Sequence, residues 1–166
     1  EQNQFLNEVY RKLVLESDVR PDYAILMGDF NYRYFPFVHW SARATGEFIL
    51  ESWSSPELRA KIRAHDELFH QISKGNVYEF KEGPLNDGPI FLPTGKMKYL
   101  RQPGQTQISD YRLGQHDHRV PNHCDRILYT LPNSSVKIDC REYQRFDEGM
   151  MNQSDHAGVV SLFELE

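Results

Sequence analysis

The stretch LMGDFNYRYF, residues 26–35, sets a carboxylate (Asp29), an amide (Asn31) and a guanidinium (Arg33) within five residues, directly after an apolar run closed by Gly28. A carboxylate in that place can polarise a water, and Asn31, two residues on, points to the same side if the chain stays extended. The same residue types also build turns in which Asp and Asn merely satisfy the backbone, and GDFN alone fits that reading at least as well. Two further stretches change the weighing. NQSDHAGVV, residues 152–160, puts Asp155 and His156 just before an apolar strand, and HRVPNHCDRILY, residues 118–129, puts Asp125 and Arg126 at the start of another. Three strands carrying titratable residues at one end are what a site on a sheet-based fold requires.

The elements that must hold these residues alternate in type. Phe5, Leu6, Val9, Tyr10, Leu13 and Val14 recur at three-and-four spacing and predict one helix, ending before Pro21. Residues 23–27 form a short apolar run that predicts a strand buried on both faces, with Asp29 at its C-terminal end. Ser55, Pro56 and Glu57 read as a helix start, Leu58, Ile62, Phe69 and Ile72 as its buried stripe, and Gly75 as its stop. Residues 83–114, rich in Gly, Pro, Asn and Gln, predict long ordered loops, and loops of that length usually serve function. Strand patterns return at 126–129, 136–140 and 159–165. The pattern predicts one mixed α/β unit, without repeats or a linker.

A chain of 166 residues can bury a core without disulfides, and its net charge of -5 supplies no broad basic field for nucleic acid. The two cysteines, Cys124 and Cys140, lack the spacing of a structural zinc site and favour a reduced, cytoplasmic setting. EQNQFLNEVYRKL at the N-terminus has no apolar run of signal-peptide length, and no segment approaches the roughly 20 apolar residues of a membrane span. His116, His118, His123 and Cys124 match no common zinc spacing. Tyr34, Phe35, Phe37, Trp40 and Trp53 fit either an apolar lip that touches lipid or, more in keeping with the use of aromatics, a covered core.

GDFNYR, FKEGPLNDGPIFLPTGK, PNHCDRIL and SDHAGVV occur in the order and at about the spacing found in the inositol polyphosphate 5-phosphatases, members of the endonuclease/exonuclease/phosphatase superfamily. From about Tyr23 to Phe163 the chain resembles that family. The resemblance implies an α/β (α+β) fold, part of a four-layered sandwich, with residues 1–166 forming the C-terminal half of a catalytic domain and supplying mainly one sheet. The family's earlier segments, which bring a magnesium-binding glutamate, an asparagine near the metal and a phosphate-contacting histidine, have no counterpart before Asp29. Mg2+ is therefore implied as cofactor while its main ligands are expected outside this chain. The missing N-terminal half is the implied partner segment, and half a sandwich predicts a bare apolar face.

Carried over by position, Asp29 orients or deprotonates the attacking water and Asn31 holds phosphate oxygens. Asp125 fixes the tautomer of His156, which contacts the phosphoryl group, and Asp155 helps the metal site or orients its neighbours. Arg33 and Arg126 are either phosphate contacts or partners of carboxylates. Between residues 96 and 126, six Lys or Arg face three acids, a local basic excess in an acidic chain. Lys96 and Arg119 match basic positions that grip the phosphate next to the scissile one. The family's tyrosine before that lysine is Gly95 here and a second lysine is Asp117, so Lys98 or His118 would have to rebuild the grip.

Two function classes follow. One is a magnesium-dependent phosphomonoesterase that removes the 5-phosphate of phosphoinositides or soluble inositol polyphosphates, in the cytoplasm or peripherally on the cytosolic face of membranes. The other is a catalytically silent fragment or pseudo-phosphatase that binds such headgroups or a protein partner. A nuclease of the same superfamily is disfavoured by CDRIL, by the PT-x-K segment and by the acidic charge.

Overall fold

Leu6, Tyr10 and Val14, spaced by four, form the buried stripe of helix α1 (Gln2–Tyr10) and of the π-helical turn Arg11–Leu15 that prolongs it. A computed structural model of the chain describes residues 1–35, 40–97, 111–113, 120–133, 135–146 and 154–166. After α1 come strand β1 (Ala24–Asp29), helices α2 (Ala42–Ser52), α3 (Pro56–Arg63) and α4 (Glu67–Ser73), and the short strand β2 (Lys81–Glu82). A 3-10 turn, Pro84–Asn86, follows β2. Strands β3 (Asp125–Thr130), β4 (Ile138–Phe146) and β5 (Gly158–Leu165) complete the described elements.

The strands form two antiparallel sheets, one ordered β1-β3-β2 and the other the β4-β5 pair. Alternation along β1 and β3 sorts their side chains. Ala24, Leu26 and Leu128 face the helical side and join Leu6, Tyr10, Val14, Leu68 and Ile72. Ile25, Ile127 and Tyr129 face the other side and pack on Ile138, Cys140, Tyr143, Val159 and Phe163 of the β4-β5 pair. The described residues thus stack as helices, sheet and second sheet.

Three expectations change. The chain does not supply mainly one sheet, because β4 and β5 pair with each other and meet β3 through side chains rather than backbone. β1 is not buried on both faces: it is an edge strand among the described residues, and Met27, two-thirds exposed, lies beyond the cover of the β4-β5 pair. The stripe from Leu58 to Ile72 belongs to two helices. Asp66 ends the first run by capping the second, its Oδ1 accepting the Leu68 and Phe69 N–H groups at 2.9 and 3.4 Å. Helix α2 was not anticipated, although Ser41 caps it by accepting the Ala44 N–H at 3.1 Å. Among the described residues no helix is long and apolar enough to cross a membrane.

Candidate active site

Antiparallel pairing of β1 with β3 sets Asp29 directly opposite Asp125, and Gly28 opposite Arg126. The chain before β5 then runs alongside residues 94–97. Ala157 N–H donates to Thr94 O at 2.8 Å, Met97 N–H donates to Asp155 O at 2.9 Å, and the Thr94 and Gly95 N–H groups both donate to Asn122 O. The PTGK segment is therefore the seam that joins the end of the first sheet to the SDH segment. Through it His156 reaches Asp125, with Nδ1 at 2.8 Å from Asp125 Oδ2. A carboxylate accepts, so Nδ1 carries a proton, and among the described residues Nε2 has no hydrogen bond. Both side chains stay about one-fifth exposed.

Asp29 is exposed, and its Oδ1 accepts the Asn31 N–H at 2.9 Å. The turn that GDFN alone favours is thus present together with the juxtaposition a site needs. Asn31 does not continue the strand: its φ of 55° places it in the left-handed region, which Asn tolerates better than most residues. The expectation that an extended chain aligns it with Asp29 is replaced by a tight turn that returns Asn31 over Asp29.

Arg126 leaves the group. It is 2% exposed, Nη1 donates to Glu82 Oε2 at 2.7 Å, Nη2 pairs with Asp66 Oδ2 and Nε donates to His123 O. Burial weakens the guanidinium's charge, but the two carboxylates more than offset this and raise its pKa. Of the two readings of Arg126, the substrate contact is corrected and the carboxylate partner holds: it is a buried ionic hub. Tyr143 completes the hub by donating to Glu82 Oε1 at 2.9 Å. Asp66 and Glu82 went unnoticed in the sequence; the capping pattern Asp66-Glu67 before Leu68 was the one available signal.

Lys96 Nζ lies 2.9 Å from Asp155 Oδ2, and Arg112 approaches the same oxygen at 3.9 Å. The Lys96 hydrogen bond holds the Asp155 carboxyl below its ordinary value. Gly95 sits where a Cβ would come within 3.1 Å of Cys124 Sγ and 3.5 Å of His156 Cε1, so a side chain there would crowd the Cys124 thiol and touch the His156 ring. Arg119, Lys98, His116, Asp117, His118 and Phe37 lie outside the described residues.

The zinc possibility loses two of its four residues. His123 is fully buried, Nε2–H donating to Phe91 O at 2.7 Å while Nδ1 accepts from Tyr34 OH at 2.6 Å, and burial holds it far below its usual pKa. Burial also pushes the Cys124 thiol up to about 11. Tyr34 and Trp53 are buried, as the core reading of the aromatics expected, whereas Phe35 and Trp40 are 40% and 46% exposed.

The described residues do not fit a magnesium site by themselves. Among them no three of His, Cys, Asp and Glu converge on one point, Asp125 is engaged by His156, and Asp155 is engaged by Lys96.

The fold has solved relatives. The chain is similar to Cimex nitrophorin in its ferrous NO complex, with a TM-score of 0.62 and 20% identity over 93% of this chain and 46% of that one. It is also similar to the inositol polyphosphate 5-phosphatase domain of Spsynaptojanin, solved in complex with inositol (1,4)-bisphosphate and a calcium ion. There the TM-score is 0.54 and the identity 26%, over 87% of this chain and 36% of that one. The chain thus spans less than half the length of either structure. No match is found among curated proteins. The model for the endonuclease/exonuclease/phosphatase family 2 matches residues 1–162, almost the whole chain, and the chain belongs to that family.

Proposed function

We propose that this chain carries half of the catalytic machinery of an inositol polyphosphate 5-phosphatase, a hydrolase that releases the 5-phosphate of phosphoinositides or soluble inositol polyphosphates. The observation that supports the reading best is the 2.8 Å contact of His156 Nδ1 with Asp125, at the same sheet end where Asp29 faces Asp125 across the β1–β3 ladder. Asp29 orients the attacking water and takes its proton; one of its oxygens is already fixed by the Asn31 N–H. Asn31 donates to a phosphoryl oxygen. His156, oriented by Asp125, presents Nε2 to the same group, as a hydrogen-bond donor once protonated. The inositol (1,4)-bisphosphate in the Spsynaptojanin structure supports inositol phosphates as the substrate class.

Lys96, with Arg119, is proposed to grip the phosphate beside the scissile one. Asp155 keeps the Lys96 ammonium at the seam rather than free in solvent. The family resemblance implies Mg2+, with its main ligands outside these residues, and none of the steps above runs through it. We place the enzyme in the cytoplasm, with peripheral membrane contact when the substrate is a lipid, and expect no nucleic-acid substrate.

The test is phosphate release from a 5-phosphorylated inositol phosphate, with magnesium, by the enzyme that carries this chain. Asp29→Ala should abolish turnover while binding persists. An intact enzyme that binds the substrate and releases no phosphate would instead establish the silent, headgroup-binding reading.

A further inference from the structure

Asn31 is held at every polar atom but one. Its N–H donates to Asp29 Oδ1 at 2.9 Å, its carbonyl accepts from Gln2 Nε2 at 2.9 Å, and its Oδ1 accepts from Arg33 Nη2 at 2.7 Å. Among the described residues Nδ2 has no hydrogen bond, and the residue is exposed. A guanidinium has only donors, so an amide turned the other way would set N–H against N–H. Arg33 therefore decides which end of the Asn31 amide faces outward.

The backbone that carries the guanidinium is itself fixed. The Arg33 carbonyl accepts the N–H of Glu67, the first residue of α4, at 2.9 Å, and Phe30 and Tyr34 on either side are tied to Cys124 O and Asn122 Oδ1. Among the described residues Arg33 pairs with no carboxylate, and its Nη1 is closed off from solvent without a hydrogen-bond partner. A half-buried cation without a counter-ion is costly and is expected to serve something other than stability.

We infer that Arg33 is a positioning residue, which turns the Asn31 amide so that both Nδ2 hydrogens face outward and makes Asn31 an obligate donor to an anionic oxygen. Asn31 can then hold a phosphate oxygen through Nδ2, while its own oxygen is turned to the Arg33 guanidinium. The inference rests on the phosphatase reading for the identity of the anion and on geometry alone for the role of Arg33. It departs from both readings of Arg33 offered by the sequence, phosphate contact and carboxylate partner.

The test is a double-mutant cycle in the enzyme that carries this chain. Arg33→Met should lower kcat on the order of 10- to 100-fold with little change in KM, since a mis-turned donor acts in the transition state. In an Asn31→Ala background the same substitution should cost less than about threefold, because its target is gone. Equal losses in the two backgrounds would make Arg33 merely structural and overturn the inference, as would unchanged kcat in the single variant. If Arg33→Met does not fold, Arg33→Lys and Arg33→Gln enter the same cycle under the same criteria. A second readout needs no turnover. In protein labelled with 15N, the Asn31 side-chain amide, assigned by its loss in Asn31→Ala, should shift on addition of inorganic phosphate, and this shift should vanish in Arg33→Gln. The same shift in both proteins would overturn the inference. A wild-type enzyme that shows the shift and releases no phosphate would instead defeat the phosphatase reading and leave the role of Arg33 standing.

Discussion

Two polar groups built from the same residue types sit a few residues apart in this chain and behave oppositely. In the hub, Arg126, Asp66, Glu82 and Tyr143 are buried and bonded to one another, and His123 beside them has a partner on each ring nitrogen. At the sheet end, Asp29 and Asn31 are exposed, and among the described residues His156 Nε2 and Asn31 Nδ2 have no hydrogen bond. Asp125 and Arg126 show how little separates the two. They are consecutive on β3, and the alternation of a strand sends the carboxylate to the open end and the guanidinium into the core. A polar group whose valences are all used fixes the fold; one with valences left over can meet a substrate. The hub holds α4, β2 and β3 together, and so gives the rim a rigid base.

The largest effect should come from breaking the hub. Arg126→Met leaves Asp66 and Glu82 as buried, unpaired carboxylates and should cost about 3–5 kcal/mol in urea unfolding. A loss below about 1 kcal/mol would erase the distinction between the two groups. The rim should answer in the other currency. His156→Ala in the intact enzyme should lower turnover on the order of 10²–10⁴-fold and leave unfolding stability within about 0.5 kcal/mol, as read by phosphate release and urea titration of one preparation.

A pH series sharpens the contrast between histidines. The folded pKa of His123 lies well below its ordinary 6.5, because of burial first and then the Arg126 charge. The unfolded chain therefore binds a proton below pH 6.5 that the folded chain refuses, so stability falls as pH falls, by up to about 1.4 kcal/mol per pH unit. Unfolding curves from pH 7 to 5 should show this slope, and His123→Gln should remove it. The smallest effect belongs to the seam. Asp155 titrates below its ordinary 3.8 because of the Lys96 hydrogen bond, so the pair stabilises above about pH 4 and stops doing so as pH falls through the lowered value. Lys96→Met should cost under about 1 kcal/mol at pH 7 and less at pH 2; an equal cost at both would assign Lys96 a packing role instead.

Much of the outline was legible from local pattern. The α1 helix, the Ser55-Pro56-Glu57 start and the β3 and β5 runs follow from periodicity and capping chemistry, and motif order names Asp29, Asn31, Asp125 and His156, because each signal lies within a few residues of itself; of the expected α1 stripe, Leu6, Tyr10 and Val14 are buried while Phe5 and Leu13 are exposed. Asp125 and His156 are 31 positions apart, yet the motifs named both. Other features depended on contacts that no local pattern contains. The break between α3 and α4 follows from Asp66 capping α4 while its other oxygen reaches Arg126, 60 positions away. The separation into two sheets follows from β4 and β5 closing on each other, and the exposure of Met27 follows from where that pair ends. Above all, sequence leaves the fate of a charged side chain open, since Arg33 and Arg126 read alike in one dimension. Only burial and the direction of each partner make one a hub and the other the hand that turns Asn31, because the cost of a buried charge is set by what surrounds it in space.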